Sequence, residues 1–129
     1  MENQTFCLLK KRLVELGYTV NCFETANDAS IYLNSTLNNQ TVGFAGSMSL
    51  EKMGLYELLS SHNQVFWHHR IPQGKTSKEI RTQANSASIY ITSANAIAES
   101  GEIINIDANC NRVASIFYGH DKVYFVIGK

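Results

Sequence analysis

The chain has 129 residues, 44% of them hydrophobic and 17% charged, with a formal net charge of zero at pH 7. That length supports one domain whose single core removes roughly two-thirds of the unfolded surface from water. Zero net charge argues against a whole-domain field that would draw it to nucleic acid or anionic membrane, and three scattered cysteines without a Cys-x-x-Cys pair argue against a disulfide framework, zinc ribbon or iron–sulfur cluster within this chain.

Phe6, Leu9, Leu13 and Leu16 recur at three- and four-residue spacing, which is one face of a helix. Gly17 is placed to end it as a left-handed cap. Residues 18–23, Tyr-Thr-Val-Asn-Cys-Phe, are β-branched and aromatic and predict a strand. Thr25 or Asn27 can cap a second helix whose Ala26, Ala29, Leu33 and Leu37 face a sheet. After a polar run, residues 41–44 predict the next strand, which leads through Gly46-Ser47 into a third helix. Ser49 is its expected N-cap, and Leu50, Met53, Leu55, Leu58 and Leu59 are its buried side. Gly54 inside that helix costs about 1 kcal/mol against Ala, which close packing against a neighbouring backbone would explain.

Residues 64–68 predict a strand, and residues 69–76, with the only proline, a loop. Ser77 can cap a helix running to Ala87 with Ile80 and Ala84 inward. Residues 88–92 read as a strand, and 93–101 as a small-residue connection with one helical turn. Residues 102–106 read as another strand, 112–117 as a short helix and 123–127 as a near-continuous apolar strand. Helices alternating with apolar strands every 20–25 residues or so imply right-handed crossovers and a mainly parallel sheet between helical layers. The fold class is α/β.

Two stretches carry the candidate chemistry. Thr41-Val42-Gly43-Phe44-Ala45-Gly46-Ser47 is a strand feeding a small-residue turn that opens a helix. Free backbone N–H groups and the helix dipole favour an anion in that setting. The letters match neither Walker A nor the dinucleotide fingerprint, so the stretch either binds a ligand or merely turns tightly. Further on lie Asn95, Glu99, Asn105, Asp107, Asn109, Asn111 and Arg112. The loop holding Asn95 and Glu99 follows a strand, so it should share the carboxyl edge of the sheet with Gly46-Ser47. The alternative is an Asx-rich turn fixed by an Asp107–Arg112 pair. His68 and His69, adjacent on a strand, would point to opposite sides and could not easily share a metal; one of them could line the cleft. Cys110 between two Asn reads as a turn residue.

Together these stretches carry a resemblance. Val42-Gly43-Phe44-Ala45-Gly46-Ser47-Met48-Ser49-Leu50 with Gly54-Leu55 is similar to the Val-Gly-x-Gly-Gly-Ser-x-Thr-Leu…Gly-Leu signature of the LUD-domain lactate-utilisation family. Thr92-Ser93-Ala94-Asn95-Ala96-Ile97-Ala98-Glu99-Ser100-Gly101 resembles its Thr-x-x-Asn-Ala-Ile-Thr-Glu-x-Gly motif. Asn105-Ile106-Asp107 and Asn111-Arg112-Val113-Ala114 resemble its Asn-Ile-Asp-Gly-x-Gly-Asn-Arg-Val-Ala run. The match spans nearly the whole chain, in order.

The resemblance implies a three-layer α/β/α domain with a mainly parallel sheet, like ribose-phosphate isomerases and CoA transferases, over residues 1–129. It implies a bacterial role linked to oxidising lactate to pyruvate, with iron–sulfur proteins or an anionic small molecule as partner and no cofactor of its own. By analogy with fold relatives, Glu99 is the candidate base or nucleophile. Gly43, Gly46 and Ser47 would hold an anion, and Asn95, Asp107, Asn111 and Arg112 would shape the site. Whether the chain is an enzyme stays open.

The chain departs from the family pattern at Ala45, Ala98, Ala108 and Cys110. Ala45 adds a methyl where the family has the loop's second glycine, and Ala108 and Cys110 replace glycines where φ > 0 is expected. Similar proteins continue beyond Gly128-Lys129, so the chain reads either as a truncated or decayed member of the family or as one that covers the open surface by pairing with itself in a homodimer. No apolar run reaches the ~20 residues of a membrane span, and Met1-Glu2-Asn3 is unlike a signal peptide. A cytoplasmic location is expected.

Overall fold

A computed structural model describes residues 4–128; the start at Met1-Glu2-Asn3 and the terminal Lys129 lie outside the described residues. Helix α1 (Gln4–Glu15) ends as expected at Gly17, whose φ is +100°. The Tyr18 and Gly17 amides donate back to the Leu13 and Val14 carbonyls, a Schellman closure. Residues 18–23 form no strand. They are irregular and largely exposed, because no neighbouring strand offers a ladder and β-propensity alone cannot hold one. Helix α2 (Ala26–Thr36) is capped by the Thr25 hydroxyl, which accepts from the Asp28 amide, and buries Ser30 and Leu33.

The sheet is built from β1 (Thr41–Phe44), β2 (Gln64–Phe66), β3 (Ile89–Thr92) and β6 (Lys122–Phe125), in the order β2-β1-β3-β6 and parallel throughout. Between β1 and β2 come α3 (Met48–Lys52) and α4 (Leu55–Ser60). Sequence reasoning predicts one helix here; Gly54 divides it. Its φ is +65°, and nothing lies within 4 Å of where a Cβ would stand. The glycine is there for its backbone angle and not for close packing. The cap of α3 is Ser47, not Ser49; its hydroxyl accepts from the Leu50 amide at 3.3 Å. Helix α5 (Ser77–Asn85) starts one residue earlier than expected, on a Thr76–Glu79 capping box.

Strand alternation sorts the core into two layers. Val42, Phe44, Ile89, Ile91 and Trp67 pack with Leu33, Leu50, Leu55 and Leu59 on one face. Ala45 and Tyr90 pack with Ala84 on the other. All of β3 is buried, as expected for a strand covered on both sides. Gly43 is the close approach: an added Cβ would stand 2.3 Å from the Ala84 carbonyl oxygen, so α5 lies directly on β1. The result is a three-layer α/β domain with α2, α3 and α4 on one side and α5 on the other.

Residues 93–106 depart furthest from expectation. No helical turn forms. Instead β4 (Ala96–Ile97) and β5 (Ile103–Ile104) make a small antiparallel hairpin apart from the main sheet. Helix α6 (Asn111–Phe117) then returns the chain to β6 on the α5 side. The hairpin turn rests on α1: an added Cβ on Gly101 would meet Leu16 Cδ1 at 2.6 Å, and Arg12 Nε donates to the Ser100 carbonyl at 3.1 Å.

Candidate functional site at the carboxyl edge of the sheet

The chain travels from β1 to β2 in one direction, then crosses β1 to reach β3 and continues to β6 in the other. Right-handed crossovers therefore put α3 and α4 on one face and α5 and α6 on the other. The loops leaving β1 and β3 diverge, and the crevice between their carboxyl ends is where ligands sit in sheets of this kind. Gly46-Ser47 forms one lip and the segment through Asn95 the other.

At the first lip, Ala45 is fully buried and its backbone is committed. Its amide donates to the Ile91 carbonyl at 3.0 Å, and its carbonyl accepts from the Trp67 indole N–H at 3.0 Å. The methyl lies in the core beside Ala84 and Tyr90, so it takes no space from the loop. Gly43 sits deep in the strand under α5 and not at the lip. Gly46 is exposed, and a Cβ there would stand 2.8 Å from His68 Nε2, the movable end of a side chain.

Strand β2 stops at Phe66, so His68 and His69 do not alternate along a strand. Residues 67–70 make a tight turn in which the Arg70 amide donates to the Trp67 carbonyl at 2.9 Å. The two imidazoles meet edge to face at 4.8 Å. His69 stacks on Trp67 at 4.4 Å and shares its Nδ1 with Glu51 Oε2 at 3.0 Å. Arg70 lies over the Trp67 and Tyr56 rings and donates to both Glu51 and Glu57. Hydrogen bonds from Arg70 first, then His69, hold the Glu51 carboxyl below the usual range. Burial, and then the charges of Arg81 and His69, push the His68 imidazole down, so it is neutral at pH 7.

At the second lip, Asn95, Asp107 and Arg112 are joined. Asp107 Oδ2 accepts from the Arg112 and Val113 amides at 2.8 and 3.2 Å, capping α6 from outside its nominal start. Arg112 donates to Asn95 Oδ1 at 2.8 Å and to the Ile106 carbonyl at 2.6 Å, and the Ile106 amide donates to the same Asn95 oxygen at 2.8 Å. Burial raises the Asp107 pKa, but its backbone donors outweigh that and hold it below the usual range. Asn111 is the half-buried first residue of α6. Cys110 has φ +60°, as its glycine-replacing position implies, whereas Ala108 does not.

Glu99 stands apart from these three. It is exposed in the hairpin turn and has no hydrogen-bond partner among the described residues. Among the described residues no group of three or more His, Cys, Asp or Glu could hold a metal, and no helix is long and apolar enough to cross a membrane. Shallow surface hollows lie along α5 from Lys75 to Gln83 and at the amino edge between Asn39 and Gln64, away from both lips. On the α5 face, burial pushes the Tyr90 hydroxyl up to about 12, and its ring stacks on His120 at 4.8 Å.

A family model described as LUD domain matches residues 8–129. This chain belongs to the LUD-domain family. The family is associated with lactate utilisation. The match takes in both lips of the crevice and the turn at residues 67–70 of this LUD domain. No curated protein and no solved structure matches the chain. Sequence reasoning missed the turn, because Trp67-His68-His69-Arg70 looks like the end of a strand. The available signal was the Glu51–Arg70 and Glu51–His69 charge pairing, which is invisible without knowing that α3 and β2 are neighbours.

Proposed function

We propose that this LUD domain serves the oxidation of lactate to pyruvate by binding an anionic small molecule in the crevice between the loops that follow β1 and β3. One observation carries the reading: the Gly46-Ser47 turn lies at the point where the sheet reverses its winding, where α/β domains collect ligands. Membership of a family associated with lactate utilisation sets the metabolic context. Asn95 and Arg112 supply polar groups at the facing lip. Glu99 lacks a partner that would orient it, and general-base chemistry needs a positioned group, so the proposal is of binding and assigns no reaction.

Thermal-shift titration of the protein with lactate, pyruvate, CoA, nucleotides and sugar phosphates tests this. A saturable rise in Tm is expected with at least one anion, and it should shrink in Ser47→Ala when each protein is compared with its own ligand-free Tm. No shift with any of these anions would refute the small-molecule site.

A second reading is favoured by the open crevice and by the exposed, unanchored Glu99. In it the domain is a non-catalytic subunit that assembles with iron–sulfur proteins of lactate utilisation. Co-purification from the native host under mild conditions tests it, and a chain that migrates alone would remove it.

A further inference from the structure

The imidazole of His69 is held on two sides and open on a third. Its ring stacks on Trp67 at 4.4 Å, and its Nδ1 meets Oε2 of Glu51, on α3, at 3.0 Å. Both holders are themselves fixed. Trp67 is buried and bonds the Ala45 carbonyl through its indole N–H, and the other oxygen of Glu51 accepts from Arg70. Those donors keep Glu51 ionised, so it can only accept. Nδ1 is then the protonated nitrogen of a neutral His69 ring, and Nε2 is the basic one. Among the described residues Nε2 has no hydrogen-bond partner, and solvent reaches it. It lies 3.6 Å from the point where a Cβ on Gly46 would stand, so it faces the first lip of the crevice. A carboxylate that fixes the tautomer of a histidine and leaves the far nitrogen free is the arrangement that general-base chemistry requires. Glu99 has no such support.

We propose that His69, positioned by Glu51, is a catalytic base at the first lip that moves a proton to and from the carbon beside the ketone carbonyl of a bound 2-oxo acid. This deepens the reading of the crevice given above and rests on it. In the step a C3–H bond of the acid breaks, and its proton forms an Nε2–H bond on His69. The electron pair moves to the C2 carbonyl oxygen and gives the enolate. After Nε2 exchanges its proton with solvent, return of a proton to C3 restores the acid, and no oxidant or other reactant is consumed. The imidazolium that forms is stabilised by the Glu51 carboxylate on its Nδ1. Arg70 of the same turn shares that carboxylate and opposes the charge. His68, whose ring meets that of His69 edge to face at 4.8 Å, is neutral and does not. A 2-oxo acid suits the step because its ketone acidifies the neighbouring C–H bonds. A 2-hydroxy acid has no ketone and should not react.

The experiment follows the methyl signal of sodium pyruvate by proton NMR in deuterium oxide with the intact protein and EDTA, beside a thermal-shift titration of the same protein with pyruvate. Saturable loss of the signal above the protein-free rate is expected, with no exchange in sodium lactate. His69→Gln should lower kcat for exchange about 100-fold or more with KM little changed. Imidazole added to His69→Ala should restore part of the rate, which a structural role would not produce. Glu51→Gln should lower kcat and leave KM. Nitrogen-15 NMR should find the neutral His69 ring protonated on Nδ1. Exchange at equal rate in wild type and folded His69→Gln overturns the role of His69, and a neutral ring protonated on Nε2 overturns that of Glu51. Pyruvate binding without exchange overturns the proton transfer and leaves the reading of the crevice intact. Absence of pyruvate binding overturns the proposal, and the crevice reading falls with it only when the other anions also fail to shift Tm.

Discussion

Three glycine-pattern positions show what single residues contribute. Cys110 holds φ +60° with a side chain, a conformation that costs an L-residue about 1–2 kcal/mol. Cys110→Gly is therefore expected to raise stability by about 1 kcal/mol in urea unfolding, after allowing for the greater freedom of glycine in the unfolded chain. Unchanged or lowered stability would show that the turn has adapted to the side chain. Gly43→Ala should do the opposite. Its new methyl would press on the backbone of Ala84, and overpacking of that kind costs about 1–3 kcal/mol; a midpoint equal to wild type would mean that α5 can lift at no cost. Of the glycines that sequence reasoning weighed, Gly54 was given the reason that belongs to Gly43. Gly43 was assigned to a ligand and Gly54 to close packing, yet Gly43 is the packing glycine and Gly54 the one with φ +65°. Nothing local could separate them, because the atoms that crowd Gly43 belong to a helix some forty positions away.

Among the elements, helices and central strands were legible because their signals are local. The 3.6-residue spacing in α1 and the apolar run of β3 are each contained within a few residues, whereas the Thr76–Glu79 box was passed over for Ser77. Residues 18–23 and 93–101 were misread, and the strand read at 102–106 is present as Ile103–Ile104 outside the main sheet, because strand formation needs a partner, and the partner is a matter of tertiary structure. Of the polar residues read together at the second lip, the structure joins Asn95, Asp107 and Arg112 as neighbours without Glu99. Asp107 acts there as the cap of α6, so Asp107→Ala is expected to cost about 1 kcal/mol. The pKa of Asp107 is lowered in the folded state. Its contribution is therefore complete above the ordinary aspartate pKa and is lost as pH falls through the folded value. The stability gap between wild type and Asp107→Ala should narrow on acidification below about pH 4. A gap that is constant with pH would argue that the carboxylate does not carry the cap.

At the scale of the whole molecule, the sheet explains why the candidate crevice lies where it does. Reversal of winding at β1 and β3 separates the two lips, and the Trp67 indole fixes the first by bonding the Ala45 carbonyl. A parallel sheet with helices on both faces was legible from the alternation of elements, whereas the turn at residues 67–70 needed the neighbourhood of α3 and β2. The hairpin has a kinetic consequence. Between β3 and β6 the chain leaves the sheet, and the Arg112–Asn95 hydrogen bond, spanning 17 positions, closes that excursion at its base. The segment so enclosed should behave as a single opening unit in amide hydrogen exchange, less protected than the sheet. In Arg112→Ala the amides of Asn95, Ala98, Gly101 and Ile106 should lose protection together while those of β1 and β3 keep theirs. Loss spreading into the sheet would mean that the excursion and the sheet open together. A crevice with one lip on the slow-exchanging sheet and the other on a faster, separately latched loop can admit a ligand without disturbing the core.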